Sequence, residues 1–152
     1  MREILFRGKD QYNDWTYGYL CQYRGDSIAD NGGDLLDDSD YYIRDWTEKI
    51  DTGFYGCNYK VRPSTIGQYT GLTDKNGKKI FEGDICKFRE WDNGKMCWIG
   101  YVHFEHCQFI ISGGANEECP SNFHLVLSRF SPENIEVIGN IHDNPELLEA
   151  DE

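Results

Sequence analysis

The sequence predicts a mainly β protein in which antiparallel strands form a small barrel or roll. Short runs rich in Tyr, Phe, Ile, Val and Trp alternate with polar residues, and Gly, Asn and Asp separate these runs. The runs have the length of ordinary strands, about five residues. Helical periodicity is almost absent, so no crossover helices are expected between the strands. This pattern favours antiparallel pairing over a parallel α/β arrangement.

The N-terminal part begins with two strands, predicted at 3–7 and 15–20, on either side of a polar turn. Because the turn is short, the two strands are expected to form a hairpin. An acidic and glycine-rich stretch at about 24–40 follows, and since Asp and Gly favour turns, it predicts a long surface loop. Two further short strands are predicted at 41–46 and 55–61.

The clearest local signal in the central part is Asn76-Gly77 between two extended runs. Both residues tolerate the positive φ of a type I′ turn, so the dipeptide predicts a hairpin. The other end of the chain differs, because Pro145 at an early helical position predicts a short C-terminal helix that buries Leu147 and Leu148. The strands predicted in the central and C-terminal parts are 66–71, 80–81, 85–90, 96–104, 109–111, 125–127 and 135–138.

The predicted elements divide the chain into three parts that are expected to form one compact unit. Residues 1–65 make an N-terminal β region with the acidic loop, 66–142 make the small barrel, and 143–152 make the short helix and an acidic tail. A chain of 152 residues has the size of a single domain. At this length about two-thirds of the unfolded surface is buried, which is enough for a hydrophobic core.

The net charge and the absence of long apolar runs exclude several classes of protein. There are 27 acidic and 15 basic side chains, and the resulting net charge of −12 opposes bulk electrostatic binding of nucleic acid or of an anionic membrane. No apolar run approaches the roughly 18 residues of a membrane span. Residues 1–10 contain no apolar h-region, so no secretory signal is predicted.

The six cysteines have irregular spacings and form no C-x-x-C pair, so a zinc ribbon is not expected. Without a secretory signal, and at a length that does not need disulfides, reduced thiols in the cytoplasm are expected. Most of them are predicted to be small buried apolar groups. The cysteines are Cys21, Cys57, Cys86, Cys97, Cys107 and Cys119.

The charge is distributed unevenly along the chain. Nine acidic residues lie within 26–51, and seven acidic but no basic residues lie within 133–152. Between 60 and 89 the balance reverses, which indicates a contact for phosphate or another anion. The favoured alternative is an edge strand that its lysines keep unpaired, because few aromatic residues are interleaved with the cations. The basic residues of this segment are Lys60, Arg62, Lys75, Lys78, Lys79, Lys87 and Arg89.

The densest group of metal-ligating residue types is the run from His103 to Cys107. On a strand, His103, Glu105 and Cys107 would share one face. A metal site needs three or four converging donors, however, and the run ends in a turn. A solvent-exposed face, opposite an inner face with Val102 and Phe104, is therefore favoured over a metal site, for which His103, His106 and Cys107 are the candidates. No metal and no cofactor is expected.

No catalytic motif is present. The chain has no G-x-S-x-G, no P-loop and no G-x-G-x-x-G. The acidic loop lacks the spacing and the distal Glu of an EF-hand, so it does not indicate calcium. No catalytic residue is assigned, and an enzyme is not expected.

Three stretches carry a family resemblance: 1–7 (MREILFR), 61–85 and 136–148. The second contains the string TIGQYTGL and the third the string GNIHDNPELL, and neither is a generic strand or turn pattern. In these stretches the chain resembles the YopX family, small proteins of bacteriophages and prophages of Gram-positive bacteria. The resemblance covers both ends and the middle of the chain.

The resemblance implies a β-rich fold with a small SH3-like barrel or roll, in agreement with the strand pattern. It brings no catalytic residue to this chain. The motif positions are expected to have structural roles, since glycines suit close strand approach or positive φ. These signature positions are Gly67, Gln68, Tyr69, Gly71, Asn76, Gly77, Gly83, Asp84, Gly139, Asn140 and Pro145.

The function predicted from these observations is that of a phage or prophage accessory protein that binds a partner without catalysis. The expected partner is a host or phage protein, the protein is expected to self-associate into a homo-oligomer, and no membrane partner is expected. The expected location is the cytoplasm of the bacterial host. One alternative is a role with nucleic acid through segment 60–89. Another is an acidic DNA mimic that inhibits a host protein through the carboxylates of 26–51 and 133–152.

Overall fold

The computed structural model shows a mainly β protein with two antiparallel sheets and, among the residues it describes, only single-turn helices, so the predicted fold class is confirmed. The chain divides into two compact units, an N-terminal unit (Met1–Gln68) and a C-terminal unit (Tyr69–Glu152). Among the described residues, no helix has the length and apolar character needed to cross a membrane. The residues that the structure describes are 3–22, 41–49, 55–89, 97–114 and 122–148.

The N-terminal unit contains an antiparallel sheet with the strand order β4-β3-β2-β1-β5. The predicted hairpin is formed by β1 and β2, and the side chain of Asp10 closes its turn by accepting hydrogen bonds of 2.9 Å from the backbone N–H groups of Tyr12 and Asp14. The strands of this sheet are β1 (Phe6–Lys9), β2 (Trp15–Gln22), β3 (Tyr41–Lys49), β4 (Tyr55–Val61) and the first residues of β5 (Gly67–Thr73).

One face of this sheet is apolar and tightly packed. Ile43 and Val61 are buried on it, and their alternation with polar neighbours follows from the two-residue period of a strand. Gly18 allows β3 to approach, because a Cβ atom at this position would lie 2.2 Å from the carbonyl oxygen of Arg44. Tyr41, Asp45 and Tyr59 share this face by their register, and the opposite face carries further charged and aromatic side chains.

The C-terminal unit contains a five-stranded antiparallel sheet with the order β10-β9-β8-β7-β11, while β6 pairs with the remainder of β5. Among the described residues, no pairing joins β10 to β11, and no closed barrel is formed. The strands of this unit are β6 (Lys79–Phe81), β7 (Asp84–Arg89), β8 (Cys97–Glu105), β9 (Gln108–Gly113), β10 (Phe123–Val126) and β11 (Ile135–Asn140).

The hydrophobic core of the C-terminal unit is built around Phe88. Its ring centroid lies 4.8 Å from that of Phe130, 5.5 Å from that of Phe123 and 6.0 Å from that of Trp98. Each large apolar side chain that is fully buried in this way contributes about 1.5–3 kcal/mol. The other fully buried apolar side chains of this core are Ile80, Cys86, Val102, Ile111, Leu127 and Ile135.

The structure corrects two local predictions. Pro145–Leu148 forms a 3₁₀ turn instead of an α-helix, and Leu148 is exposed while Leu147 is half-buried. Four residues are too few to repeat the i→i−4 bond, and the N–H of Leu147 bonds to the carbonyl of Asn144. Phe104, predicted on the inner face with Val102, is 50% exposed, because it lies next to the β8–β9 turn. The predicted acidic loop at 24–40 lies outside the described residues.

Candidate functional site

The basic segment 60–89 is divided between the two units. Lys60 and Arg62 belong to the N-terminal unit, and the other five basic residues belong to the C-terminal unit. Lys60 is exposed on β4. Arg62 follows that strand, and its guanidinium donates a hydrogen bond to the side-chain oxygen of Asn13. Two of the seven cations therefore lie in one unit and five in the other.

Three of the five cations of the C-terminal unit lie next to a carboxylate or an aromatic ring. The Nζ atom of Lys75 lies 2.6 Å from a carboxylate oxygen of Glu136, and Lys87 is paired across the β7–β11 ladder with the same glutamate. The Nζ atom of Lys79 lies 5.2 Å from the ring centroid of Tyr69. A phosphate contact here would compete with the carboxylate of Glu136.

The run from His103 to Cys107 forms the end of the β8–β9 hairpin. His106 (φ 49°) and Cys107 (φ 63°) are the two turn residues, and both are exposed. The carboxylate of Glu105 lies 3.4 Å from a ring nitrogen of His103 and 3.4 Å from one of His106, which is long for a hydrogen bond. Among the described residues, no group of three His, Cys, Asp or Glu side chains is placed to hold a metal ion.

The described cysteines differ in their surroundings. Cys21 and Cys107 are free thiols, half-buried and exposed respectively. Cys86 is fully buried in the core of the C-terminal unit, where it packs as a small apolar group.

Asp74, which lies in the second of the three resemblance stretches (61–85), holds the β5–β6 turn against β11. Its buried carboxylate accepts hydrogen bonds from the backbone N–H groups of Asn76 (2.8 Å), Lys78 (2.9 Å) and Val137 (3.1 Å). Burial alone raises the pKa of Asp74, but these three hydrogen bonds outweigh it and hold the pKa below 3.8. Gly77 completes the turn with a φ of 78°. This arrangement gives the Asp74-to-Gly77 motif a structural role.

Asp84 performs a similar role in the next turn. Its carboxylate is buried and accepts a hydrogen bond of 2.8 Å from the backbone N–H of Phe81. Gly83 between them has a φ of 83°, and its N–H donates to the carbonyl of Val102 at 2.7 Å. The carboxylate of Asp84 thus shapes the backbone of this turn.

The C-terminal signature is also a turn. The side-chain oxygen of Asn140 accepts 3.0 Å hydrogen bonds from the backbone N–H groups of the second and third residues after it. A Cβ atom at Gly139 would lie 2.7 Å from the side-chain oxygen of Asn144, so the turn packs closely on β11. Pro145 begins the 3₁₀ turn that follows. These turns contain seven of the eleven signature positions, namely Asn76, Gly77, Gly83, Asp84, Gly139, Asn140 and Pro145.

A surface that the sequence analysis missed lies on the N-terminal unit. Trp15, Tyr17 and Tyr19 alternate along β2, so their side chains project from the same face of the sheet. Tyr17 is 48% exposed and Tyr19 is 49% exposed, while Trp15 is half-buried. A regular strand therefore presents three neighbouring aromatic rings.

Two cations on β1 contact this row of rings. Arg7 is paired with Tyr17 and Lys9 with Trp15 in the β1–β2 ladder. The Cζ atom of Arg7 lies 4.6 Å from the ring centroid of Trp15, and the Nζ atom of Lys9 lies 5.3 Å from it. Both distances are within the range of cation–π interactions. Both side chains are buried, and they contact the ring of Trp15 from the neighbouring strand β1.

The row of rings continues on its other side with residues of β3 and β4. Arg44 is paired with Tyr19, and its Nε atom donates a 2.8 Å hydrogen bond to the side-chain oxygen of Asn58. Lys60 is paired with Tyr42, two residues before Arg44 on β3. We refer to this surface as the aromatic–basic face; it is formed by Arg7, Lys9, Trp15, Tyr17, Tyr19, Tyr42, Arg44 and Lys60.

Part of this face could be recognised in the sequence. The alternation of Trp15, Tyr17 and Tyr19 was visible, and so was the hairpin with the first strand. Extending the pairing outward from the turn would have placed Arg7 and Lys9 beside the rings. The contribution of β3 and β4 depends on a ladder across a long connection, which a single sequence does not define.

The comparisons agree with this architecture. The family model described as "YopX protein" matches residues 5–149 of the chain. The chain belongs to the YopX family. The crystal structure of protein EF1440 from Enterococcus faecalis is similar in fold, with a TM-score of 0.51 and 23% sequence identity over 98% of this chain and 100% of that chain. No curated protein matches the sequence. The family resemblance carried by the three sequence stretches is thus confirmed.

Proposed function

We propose that this YopX-family chain is a non-catalytic binding protein, encoded by a phage or prophage and acting in the cytoplasm of the bacterial host. The observation that carries the proposal is the exposure of Tyr17 and Tyr19 side by side on a regular strand. Soluble proteins bury most large aromatic side chains, and exposed groups of them mark interaction surfaces. The family resemblance supports the phage or prophage origin.

The aromatic–basic face has the properties that binding requires. Its rings stand on a hydrogen-bonded sheet, so little conformational entropy is lost when a partner covers them. Arg44 and Lys60 add positive charge at one side of the rings. The partner that complements this surface therefore carries planar or apolar groups together with negative charge.

The proposal is tested by retention from a lysate of the bacterial host. The wild-type protein is immobilised beside a Tyr17→Ala/Tyr19→Ala variant and a Tyr12→Ala control, which removes a 76% exposed tyrosine from the β1–β2 turn outside the face. We expect material that the wild type and the control retain and the double variant loses. Equal retention by all three proteins, or none by the wild type, would contradict the proposal.

Self-association into a homo-oligomer is part of the same proposal. Light scattering coupled to size-exclusion chromatography measures the mass of the wild type and the double variant. A mass above 17.7 kDa that persists in the double variant would place the interface between copies away from the aromatic–basic face.

A further inference from the structure

We infer that Asn76 is a site of spontaneous deamidation, and that the β5–β6 turn controls the reaction by holding the backbone N–H of Gly77. The site lies in the C-terminal unit and is independent of the aromatic–basic face. Asn76 and Gly77 are both exposed. Gly77 has no side chain, and no atom beyond its chain neighbours lies within 4 Å of the position a Cβ would take, so nothing shields its backbone nitrogen on that side.

The chemistry needs only these two residues and water. The backbone nitrogen of Gly77 attacks the Cγ atom of Asn76, and the new N–C bond closes a cyclic imide. The C–N bond of the side-chain amide breaks, and its NH2 group leaves as ammonia together with the proton that the Gly77 nitrogen has lost. Water then opens the ring at either carbonyl group, which gives aspartate or isoaspartate at position 76. No electrons are exchanged, so the reaction requires no oxidant or reductant.

In the folded protein the turn holds the nitrogen that has to attack. The N–H of Gly77 donates a 2.9 Å hydrogen bond to the carbonyl of Asp74. The carboxylate of Asp74 accepts further hydrogen bonds from the N–H groups of Asn76 and Lys78, the neighbours of Gly77 on either side. The Gly77 nitrogen must lose its proton and approach Asn76, and both steps require its hydrogen bond to break. Deamidation therefore passes through an opened turn.

Contacts with β11 oppose this opening. The N–H of Lys75 donates to the carbonyl of Ile135 at 2.9 Å, and the Nζ atom of Lys75 lies 2.6 Å from a carboxylate oxygen of Glu136. The N–H of Val137 donates to the carboxylate of Asp74 at 3.1 Å. Three consecutive residues of one strand thus hold the turn, and opening it breaks these contacts as well as the hydrogen bonds within the turn.

The isoaspartate product does not fit the closed turn. Its main chain passes through the side-chain methylene group of residue 76, so one carbon atom is added to the backbone before Gly77. This displaces the N–H groups of Gly77 and Lys78 from their acceptors on Asp74. Isoaspartate at this position therefore marks chains in which the turn has been open.

The test follows deamidation at each Asn-Gly pair by peptide mapping and mass spectrometry, with the full chain kept at mildly alkaline pH in buffer and in guanidinium chloride. Two other pairs, Asn31-Gly32 and Asn93-Gly94, give the rate of the same two residue types in denaturant. We expect Asn76 to react like them in denaturant and at least about 10-fold more slowly in buffer. Hydrogen exchange of the Gly77 N–H in buffer should be slowed by a similar factor, because both reactions require the opened turn.

The role of the turn is tested with a matched pair of variants. Asp74→Ala should speed deamidation of Asn76 in buffer by about 10- to 150-fold, as expected for loss of the hydrogen bonds to its carboxylate. In denaturant it should react like the wild type, because no turn is left to open. Asp14→Ala removes an exposed carboxylate from the β1–β2 turn and should leave both rates unchanged. Far-UV circular dichroism establishes that each variant is folded in buffer, and the exchange measurement on the wild type does not depend on any variant.

Three results would overturn the inference. The first is deamidation of Asn76 as fast in buffer as in denaturant. The second is a folded Asp74→Ala variant that reacts like the wild type in buffer. The third is unprotected exchange of the Gly77 N–H in the folded wild type.

Discussion

Replacing Asp74 by alanine should destabilise the C-terminal unit by about 3 kcal/mol. The buried carboxylate accepts three backbone hydrogen bonds, at 2.8, 2.9 and 3.1 Å. Two of the donors, the N–H groups of Asn76 and Lys78, belong to exposed residues. Water can replace the carboxylate as their acceptor, so the loss of each of these two hydrogen bonds costs about 0.5–1 kcal/mol. The third donor, at Val137, is half-buried, and leaving it without an acceptor costs about 1–3 kcal/mol.

The same carboxylate predicts how stability depends on pH. The pKa of Asp74 lies below 3.8, because the backbone hydrogen bonds favour the ionised form more strongly than burial opposes it. A group with a lowered pKa in the folded state stabilises fully above its unfolded pKa and loses this contribution as the pH falls through its folded pKa. The stability difference between the wild type and Asp74→Asn should therefore be full at pH 7 and shrink below about pH 4.

Thermal unfolding followed by circular dichroism measures both effects. For a chain of this length about 3 kcal/mol corresponds to a lowering of the melting temperature by about 6–12 °C. Asp14→Asn is the matched control, because Asp14 is exposed in the β1–β2 turn, and its effect should stay within about 0.5 kcal/mol. An Asp74→Ala variant that melts with the wild type, or a difference that grows as the pH falls, would refute the reasoning.

Further predictions concern packing. Gly18→Ala should cost about 3 kcal/mol or more, because its Cβ would lie 2.2 Å from a backbone oxygen, whereas Gly77→Ala should cost only about 1–2 kcal/mol, since its φ is 78° but no atom lies within 4 Å. Urea unfolding measures both, and equal losses would contradict the assigned contacts. Phe88→Ala should cost about 3–5 kcal/mol, and an unfolding midpoint near that of the wild type would show that its ring contacts do not support the core.

The hairpins could be predicted because their signals are local. The turn at Asn76-Gly77 and the polar turn before Trp15 each fix a pair of neighbouring strands without reference to the rest of the chain. The prediction of a C-terminal helix was wrong because it, too, rested on a local signal. Pro145 favours the start of any helical turn, and only the packing of the following residues decides whether it continues as an α-helix. The exposure of Phe104 likewise depends on its position in the β8–β9 pairing, next to the turn between the two strands.

The candidate site was harder to predict, because closeness in a β sequence is not closeness in space. Segment 60–89 contains seven cations, but the strands divide them between two units and pair some with Glu136. The aromatic–basic face instead combines residues as distant as Arg7 and Lys60. Its register follows from hydrogen-bonded ladders, and a shift of one residue in β3 would have moved Arg44 and Tyr42 to the apolar face.

The net charge of −12 and the cations of the aromatic–basic face together predict how binding to this face depends on salt. Charges in water are screened beyond about 10 Å at moderate salt, so acidic residues outside this distance oppose a ligand only weakly once it reaches the face. Contacts between a partner and the rings of Tyr17 and Tyr19 bury apolar surface and are less sensitive to salt than ion pairs are. Loss of either ring should therefore lower the retention of the partner by a similar factor at every salt concentration. A ring variant that retains little at low salt but matches the wild type at high salt would assign the binding energy to charge instead.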